Sequence, residues 1–302
     1  MAELQTELFL LLIIGYILGK RGFLSPETRS QLTDLVVYVI LPCSILSSFE
    51  MDLSGDVLRA TFQVVLAAIG IQLLCWILNH FLYRRFPEDE QTACRYSTMV
   101  TNASFIGMPV AAALYGAEGL LFASVFVIPQ RISMWACGLP MYTSVSRKDI
   151  VKKVVFHPCV CSIFFGMAIM AGYSRGIYLP GFISRTLEAL GGCSTALCLL
   201  VIGCVLSDLK LSEMISRRSL LFSIYRLLLI PLLLALLLHF SPLDDLSRRI
   251  CVLLSAMPAP TTAVILAEKY GRNPQFASQL LVTSTFLSLI TIPVVLSVMN
   301  YL

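Results

Sequence analysis

Long apolar stretches, separated by short clusters of charged residues, organise almost the whole chain. A helix needs about 20 mostly apolar residues to cross the hydrocarbon core of a bilayer. Ten stretches between charged residues reach or approach that length, and they are 4–19, 35–49, 60–83, 96–117, 119–146, 154–174, 189–207, 219–243, 250–267 and 273–302. The pattern therefore predicts ten transmembrane helices, numbered here as crossings 1 to 10 along the chain.

The composition supports this interpretation. Hydrophobic residues make up 57% of the chain and charged residues 13%, and the mean hydropathy is +0.83. A soluble domain carries about 25% charged residues, so the sequence predicts an all-α integral membrane protein. The net charge of +4 is too small to indicate a nucleic-acid partner. The ten cysteines form no CxxC pair, and no metal site or cofactor is expected.

The basic residues divide unequally between the two sides of the membrane. Fifteen Lys and Arg residues fall in the loops on one side and five in the loops on the other. Because cytoplasmic loops are enriched in Lys and Arg, the richer side is the cytoplasmic one. This orientation predicts a multi-pass protein of the cell membrane with both termini outside the cell.

The ten crossings divide into two sets of five around a basic segment at 147–153. The first repeat spans 1–146 and the second 147–302, within one transporter unit of 1–302. An odd number of crossings forces the second half to enter the membrane in the opposite orientation, which gives the inverted repeat common in secondary transporters. Crossings 4 and 9 match best, since each follows an arginine and leads to a Tyr-Gly pair.

Crossings 4 and 9 also carry proline near their centres, within 101–109 and 255–262. Proline in a helix interior costs about 3 kcal/mol or more, so both helices are expected to break. Unwound backbone at membrane depth is tolerated where it lines a cavity, and half-helix N-termini there favour an anion. An ordinary proline kink is the simpler alternative. The substrate-binding residues predicted from these stretches are Asn102, Ser104, Gly107, Pro109, Pro258, Pro260, Thr261 and Thr262.

Several motifs resemble the auxin efflux carrier family, the bacterial relatives of the plant PIN-type auxin carriers. Those motifs are Gly15-Tyr-Ile-Leu-Gly19-Lys-Arg-Gly22, Leu35-Val-Val-Tyr38-Val-Ile-Leu-Pro42, Asn102-Ala-Ser-Phe-Ile-Gly107-Met-Pro109 and Leu200-Val-Ile-Gly203-Cys-Val-Leu206. The resemblance implies a scaffold domain of crossings 1, 2, 6 and 7 and a transport domain of crossings 3–5 and 8–10. It also implies elevator-like movement, a homodimer formed through the scaffold, and crossover roles for Asn102, Pro109 and Pro258. The long cytoplasmic loop of the plant proteins is absent between the halves, and their regulatory region with it.

Two arginines lie within apolar runs. Arg131 lies near the middle of 119–146, where a charged side chain costs about 2.5–3.5 kcal/mol on insertion scales. It is expected either to contact an anionic substrate or to brace a broken helix through freed carbonyls, and the sequence leaves both roles open. Gln130 and Arg226 are possible accessory residues, although Arg226 is close enough to its span end to extend toward the cytoplasmic interface. No carboxylate lies comparably deep.

These features predict a secondary active transporter that moves a small organic anion across the cell membrane by alternating access, with a carboxylate as the expected substrate. Its partners are the anion and the lipid bilayer. A membrane sensor that binds a ligand without moving it is the alternative. An enzyme is not expected, since the chain has neither a HExxH motif nor paired deep aspartates. Coupling to protons through an edge carboxylate, anion exchange and uniport all stay open, and the three histidines, near span ends, are interpreted as interfacial.

Overall fold

The computed structural model describes residues 2–51, 54–143, 155–207 and 215–301. Every regular element in these ranges is helical. The α-helices, numbered in chain order, are α1 (Ala2–Lys20), α2 (Pro26–Leu35), α3 (Leu41–Ser48), α4 (Gly55–Leu82), α5 (Glu88–Met99), α6 (Met108–Ser133), α7 (Pro158–Tyr173), α8 (Gly181–Gly192), α9 (Ser194–Ser207), α10 (Arg217–Ile224), α11 (Ile230–His239), α12 (Asp245–Ser255), α13 (Thr261–Lys269) and α14 (Pro274–Met299).

Six helical segments in the described ranges are long and apolar enough to cross a membrane. They are Glu27–Ser48, Gly55–Leu82, Glu88–Met141, Gly181–Cys204, Arg217–His239 and Pro274–Met299. This all-helical, apolar architecture is that of an integral membrane protein. Ten crossings and the inverted repeat stay predictions, and the predicted boundary between the halves, at 146 and 147, lies outside the described residues.

Four π-helical segments interrupt the α-helices of the described chain, and each ends two residues before a proline. The segments are Val36–Ile40, Ala103–Gly107, Met134–Gly138 and Tyr225–Leu229, and the prolines are Pro42, Pro109, Pro140 and Pro231. A proline lacks an N–H and clashes with the carbonyl one turn earlier. A wider π turn relieves that clash, so the helices continue through these prolines instead of ending at them.

The segment Glu88–Met141 contains a sharp change of direction. Gly116, inside α6, has φ 67° and ψ −153°, so two helical pieces meet at this residue. A positive φ is accessible to glycine at little cost because glycine has no Cβ. Gly116 thus separates the residues predicted for crossing 4 from those predicted for crossing 5.

Glycines allow close packing in the part of the molecule that contains α1, α3, α7, α8 and α9. Helix α1 packs along α9, where a Cβ on Gly15 or Gly203 would collide with main-chain atoms of the opposite helix. Helix α3 packs against α7 and α8, with Gly166 of α7 against the ring of Phe49 and Gly191 of α8 against the backbone of Ser44. Elsewhere, α4 packs on α6, and α10 and α13 pack on α14. The division into scaffold and transport domains stays a prediction.

Candidate functional site

Two interruptions of helical structure lie at the centre of the site. The first follows α5, where Val100 has extended backbone and Asn102 has φ −78° and ψ 37° before the π segment begins at Ala103. The second separates Ser255, the last residue of α12, from Thr261, the first of α13. The first break lies at the start of the predicted stretch 101–109 and not at its proline. Pro109 lies in the first turn of α6, and the π segment before it absorbs the missing hydrogen bond.

The two interruptions contact each other directly. The backbone N–H of Asn102 donates a hydrogen bond to the carbonyl of Pro258, with a donor–acceptor distance of 2.9 Å. Buried unwound backbone needs such partners, because an unsatisfied main-chain group costs about 1–3 kcal/mol. One segment therefore supplies a hydrogen-bond partner to the other.

Side chains of neighbouring helices support each interruption. The buried amide of Gln130, on α6, donates to the carbonyl of Thr101 at 2.7 Å, and the Thr101 hydroxyl lies 3.3 Å from the carbonyl of Leu254. On the other segment, the N–H of Ala259 donates to the hydroxyl of Ser284, on α14, at 3.0 Å. Both unwound segments are thus held in place by packed helices.

A cavity of about 660 Å³ lies against both interruptions. This volume is in the range of small-molecule sites. Its polar lining residues are Thr33, Asp34, Tyr38, Thr101, Asn102, Ser104, Gln130, Arg131, Trp135, His157, Cys159, Thr261, Thr262, Ser278 and Thr285. Three of the four π segments contribute to the wall through Tyr38, Ser104 and Trp135. π-helical turns occur frequently at functional sites.

The structure brings most of the predicted site residues to this cavity. Those that line it are Asn102, Ser104, Gln130, Arg131, Pro260, Thr261 and Thr262. Gly107, Pro109 and Pro258 are buried away from its wall. A Cβ on Gly107 would lie 2.6 Å from the Leu254 side chain, so this glycine serves close packing. The carbonyl of Pro109 accepts a hydrogen bond from the Thr195 hydroxyl at 3.3 Å, which links α6 to α9.

Arg131 faces the cavity. Its Nη2 donates to the hydroxyl of Ser104 at 3.1 Å, and within the described ranges its guanidinium donates to no main-chain carbonyl. Gln130 bonds to a carbonyl of the first interruption, and Arg131 bonds to the π segment that follows it. A substrate contact of the Arg131 guanidinium stays a prediction.

Arg226 lies elsewhere. Its side chain is 1% exposed, and the residues beside it are Cys75 and Tyr83 of α4 and its C-cap. It does not line the cavity, and a side chain so enclosed does not extend to the interface. Its position on the π segment directs Arg226 into the helix packing and not toward an interface, and the accessory role stays a prediction.

Sequence reasoning missed the part of the wall formed by α2, its following π segment and the residues that begin α7 and α14. Thr33, Asp34, His157 and Ser278 all line the cavity. His157, interpreted as interfacial, is the N-cap residue of α7, and its Nδ1 is buried without a hydrogen-bond partner among the described residues. All four lie at span ends, so no charge or proline pattern distinguishes them from ordinary interfacial residues.

The electrostatics of the cavity favour an anion. The helical turns that begin after Asn102 and at Thr261 direct their N-terminal, electropositive ends toward it. The hydroxyl of Thr262 is held by the Tyr96 hydroxyl at 2.9 Å. Among the described lining residues there is one guanidinium, Arg131, and one carboxylate, Asp34, which is exposed. No group of three or more metal-ligating side chains occurs in the part of the chain that was searched.

Comparison with known proteins shows that the chain is similar to transport proteins. A family model described as membrane transport protein matches residues 2–152 and 141–296. A protein of Methanothermobacter thermautotrophicus named "Uncharacterized transporter" is 27% identical over 297 residues, which cover 96% of both chains. A Rhizobium meliloti protein named "Putative malonate transporter" is 24% identical over 303 residues, which cover 96% of this chain and 92% of that protein.

Proposed function

Because the chain belongs to the membrane transport protein family, which includes the auxin efflux carriers, we propose that it is a secondary active transporter of a small organic anion. The family and the names of its relatives indicate a transporter rather than an enzyme. The substrate proposed is a carboxylate, moved across the cell membrane by elevator-like alternating access.

One observation carries the proposal. A guanidinium, Arg131, and two helix N-terminal ends face the same 660 Å³ cavity at the point where two unwound segments meet. Unwound segments of this kind form the substrate sites of many secondary transporters, with half-helix N-termini directed at anionic groups. A bound carboxylate would receive charge-assisted hydrogen bonds, which are about twice as strong as neutral ones.

The proposed substrate class is based on the name of a relative as well as on the cavity. The Rhizobium meliloti protein carries malonate in its printed name. Malonate and malate are small enough for the volume, and so is an indole carboxylate. We propose the small carboxylates as the first set to test, with auxin itself as one member of that set.

An inward-facing state is part of the proposal, because four residues that line the cavity each follow a loop on the side predicted to be cytoplasmic. They are Thr33, Asp34, His157 and Ser278. Both termini would then lie outside the cell. Protease treatment of right-side-out vesicles should remove a tag fused to the C-terminus, and protection of the tag would reverse the proposed orientation.

The central experiment combines binding and flux. Purified protein is screened by thermal shift against organic acids, and each acid that stabilises it is tested for counterflow of labelled substrate in proteoliposomes. A ligand at 100 times its Kd stabilises the folded state by about 2.7 kcal/mol. Arg131→Ala should abolish both the thermal shift and counterflow, whereas Arg185→Ala, an exposed arginine of α8, should change neither. Unchanged counterflow in Arg131→Ala would overturn the proposed substrate contact.

The same experiment separates transport from sensing. A ligand sensor with this fold would show the thermal shift without counterflow. A homodimer formed through the scaffold helices, as the family resemblance implies, is tested by the mass of the detergent-solubilised protein. Neither result depends on which acid is the substrate.

A further inference from the structure

His157 and the fixed positive charge of Arg131 line the same cavity. His157 is the residue before α7, and Pro158 follows it at the first helical position. Its imidazole and the guanidinium of Arg131 line the same cavity and interact electrostatically. The Nδ1 atom of His157 is buried and has no hydrogen-bond partner among the described residues. A buried polar atom without a partner is costly unless a ligand or water completes it.

Burial disfavours the charged imidazole, and the guanidinium of Arg131 in the same cavity adds repulsion, so an empty cavity favours the neutral imidazole. An anion bound at Arg131 cancels much of the field of the guanidinium. With that anion present, the doubly protonated imidazole gains a favourable partner instead of a repulsive one. Anion binding and proton binding at this site therefore reinforce each other, and by linkage the reinforcement is equal in both directions.

We infer that His157 is the coupling residue of the transporter, which takes up one proton from the aqueous phase together with each bound anion. The inference rests on the proposed function, since it concerns the same cavity. The imidazole accepts the proton from water on the side to which the cavity is open. After the cavity opens to the other side, the anion leaves, the field of Arg131 is restored and the proton returns to water there. A monovalent anion and one proton then cross together without net charge, and a dianion such as malonate crosses with one net negative charge.

Four other titratable groups line the cavity besides His157. Asp34 and Tyr38, of α2 and its following π segment, face it from one side, Arg131 of α6 from another, and Cys159 is on the same helix as His157. Asp34 is exposed, so water screens its charge. Histidine is the side chain that ordinarily changes its charge between about pH 5 and 8. Among these groups, His157 lines the cavity together with Arg131 and has a buried Nδ1 without a partner among the described residues.

The test measures proton movement as well as anion movement. Proteoliposomes that contain a trapped pH indicator and purified protein receive malonate, or the acid identified by the thermal-shift screen, on the outside. We expect acidification of the interior that requires the acid. It should be absent in protein-free liposomes, and a separate control with an uncoupler measures passive leak. The affinity for the acid should rise by up to about tenfold per unit fall in pH over the range in which one proton is linked.

His157→Asn keeps a polar side chain but cannot be protonated. In this variant the number of protons taken up per labelled acid should fall, and the affinity for the acid should change less than twofold between pH 5.5 and 7.5, as roughly expected for an unlinked site. His239→Asn, a histidine at the end of α11 that does not line the cavity, should behave as the unmodified protein.

The outcomes are distinct. If His157→Asn shows the same acidification and pH dependence as the unmodified protein, the coupling role is wrong while the transporter proposal stands. If neither protein moves any acid, the proposed function fails and the coupling role with it. If His157→Asn does not fold, His157→Gln is measured, and retained pH dependence in that variant would likewise overturn the inference.

Discussion

The backbone N–H of Asn102 and the carbonyl of Pro258 form a 2.9 Å hydrogen bond between segments 156 positions apart in the chain. One segment follows α5 and the other precedes α13, so the bond joins the two halves at the wall of the cavity. Asn102 supplies the donor and Pro258 the acceptor. The residues that precede α13 include Pro258 and Pro260, and neither proline has an N–H to donate.

The two prolines should be required for the interruption before α13. The double variant Pro258→Ala with Pro260→Ala restores two N–H groups. It also lowers the free-energy cost of forming a helix in this segment by about 3 kcal/mol per proline. We expect helical structure to extend through the segment, close part of the cavity and lower counterflow at least tenfold. Counterflow and thermal stability of the purified protein check this prediction.

Pro274→Ala is the matched control, because Pro274 lies at the first position of α14, where proline already fits a helix. It should leave counterflow unchanged. Full activity in the double variant would show that the interruption is held by tertiary contacts alone, such as the bond from Ala259 to Ser284.

The sequence predicted the second interruption more accurately than the first for a physical reason. Pro258 and Pro260 lie two residues apart, and no regular helix accommodates both. Pro109 was also predicted to break its helix. The π segment before it lets the helix continue, and the interruption lies at 100–102. That stretch has no proline or glycine. Its geometry depends on Gln130 and on Pro258, contacts that are distant in sequence.

The sequence also predicted only part of the cavity wall. Arg131 was found because a charge in an apolar run is costly and hence noticeable. Asp34 and His157 were not assigned to the site, since near a span end a polar residue needs no special explanation. Only the packing of α2 and α7 beside α6 brings them to the cavity.

Gln130 should stabilise the first interruption. Its amide donates to the Thr101 carbonyl, and Gln130→Leu would leave that buried carbonyl without this partner, at a cost of about 1–3 kcal/mol. We expect a lower midpoint of thermal unfolding together with weaker substrate binding, because Arg131 and Ser104 are attached to the elements that Gln130 joins. Thermal unfolding with and without substrate measures both effects.

Gln63→Leu provides a comparison of the same chemical change at an exposed site. The amide of Gln63, on α4, donates to the carbonyl of Pro242 at 3.3 Å in an exposed position. Water can replace that partner, so we expect little loss of stability. An equal loss in the two variants would contradict the importance assigned to burial at Gln130.

Close packing of α1 on α9 should depend on Gly203. A Cβ at this position would lie 2.6 Å from the backbone nitrogen of Tyr16 and would collide with the Leu12 carbonyl. Because main-chain atoms cannot move aside as a flexible side chain does, Gly203→Val should force the two helices apart and destabilise the protein by about 1–3 kcal/mol or more. Gly70→Ala, on an open face of α4, is the control and should fold normally. The yield of monodisperse protein and its thermal unfolding distinguish the two.

Arg226 is expected to stabilise the fold less than an apolar residue of similar size. It is 1% exposed, and its Nε and Nη1 have no hydrogen-bond partner among the described residues. A buried charge without a carboxylate is unfavourable, and replacing buried charged groups by well-packed apolar residues is often neutral or stabilising by about 1–4 kcal/mol. Arg226→Met should therefore keep or raise the midpoint of thermal unfolding, whereas Arg226→Lys, which retains a charge with fewer donors, should lower it. A clear loss of stability in Arg226→Met would mean that the guanidinium has a favourable partner in the folded protein, and the neighbouring Cys75 is the first group to examine. Cys75→Ser in the same assay would then show whether that thiol is the partner.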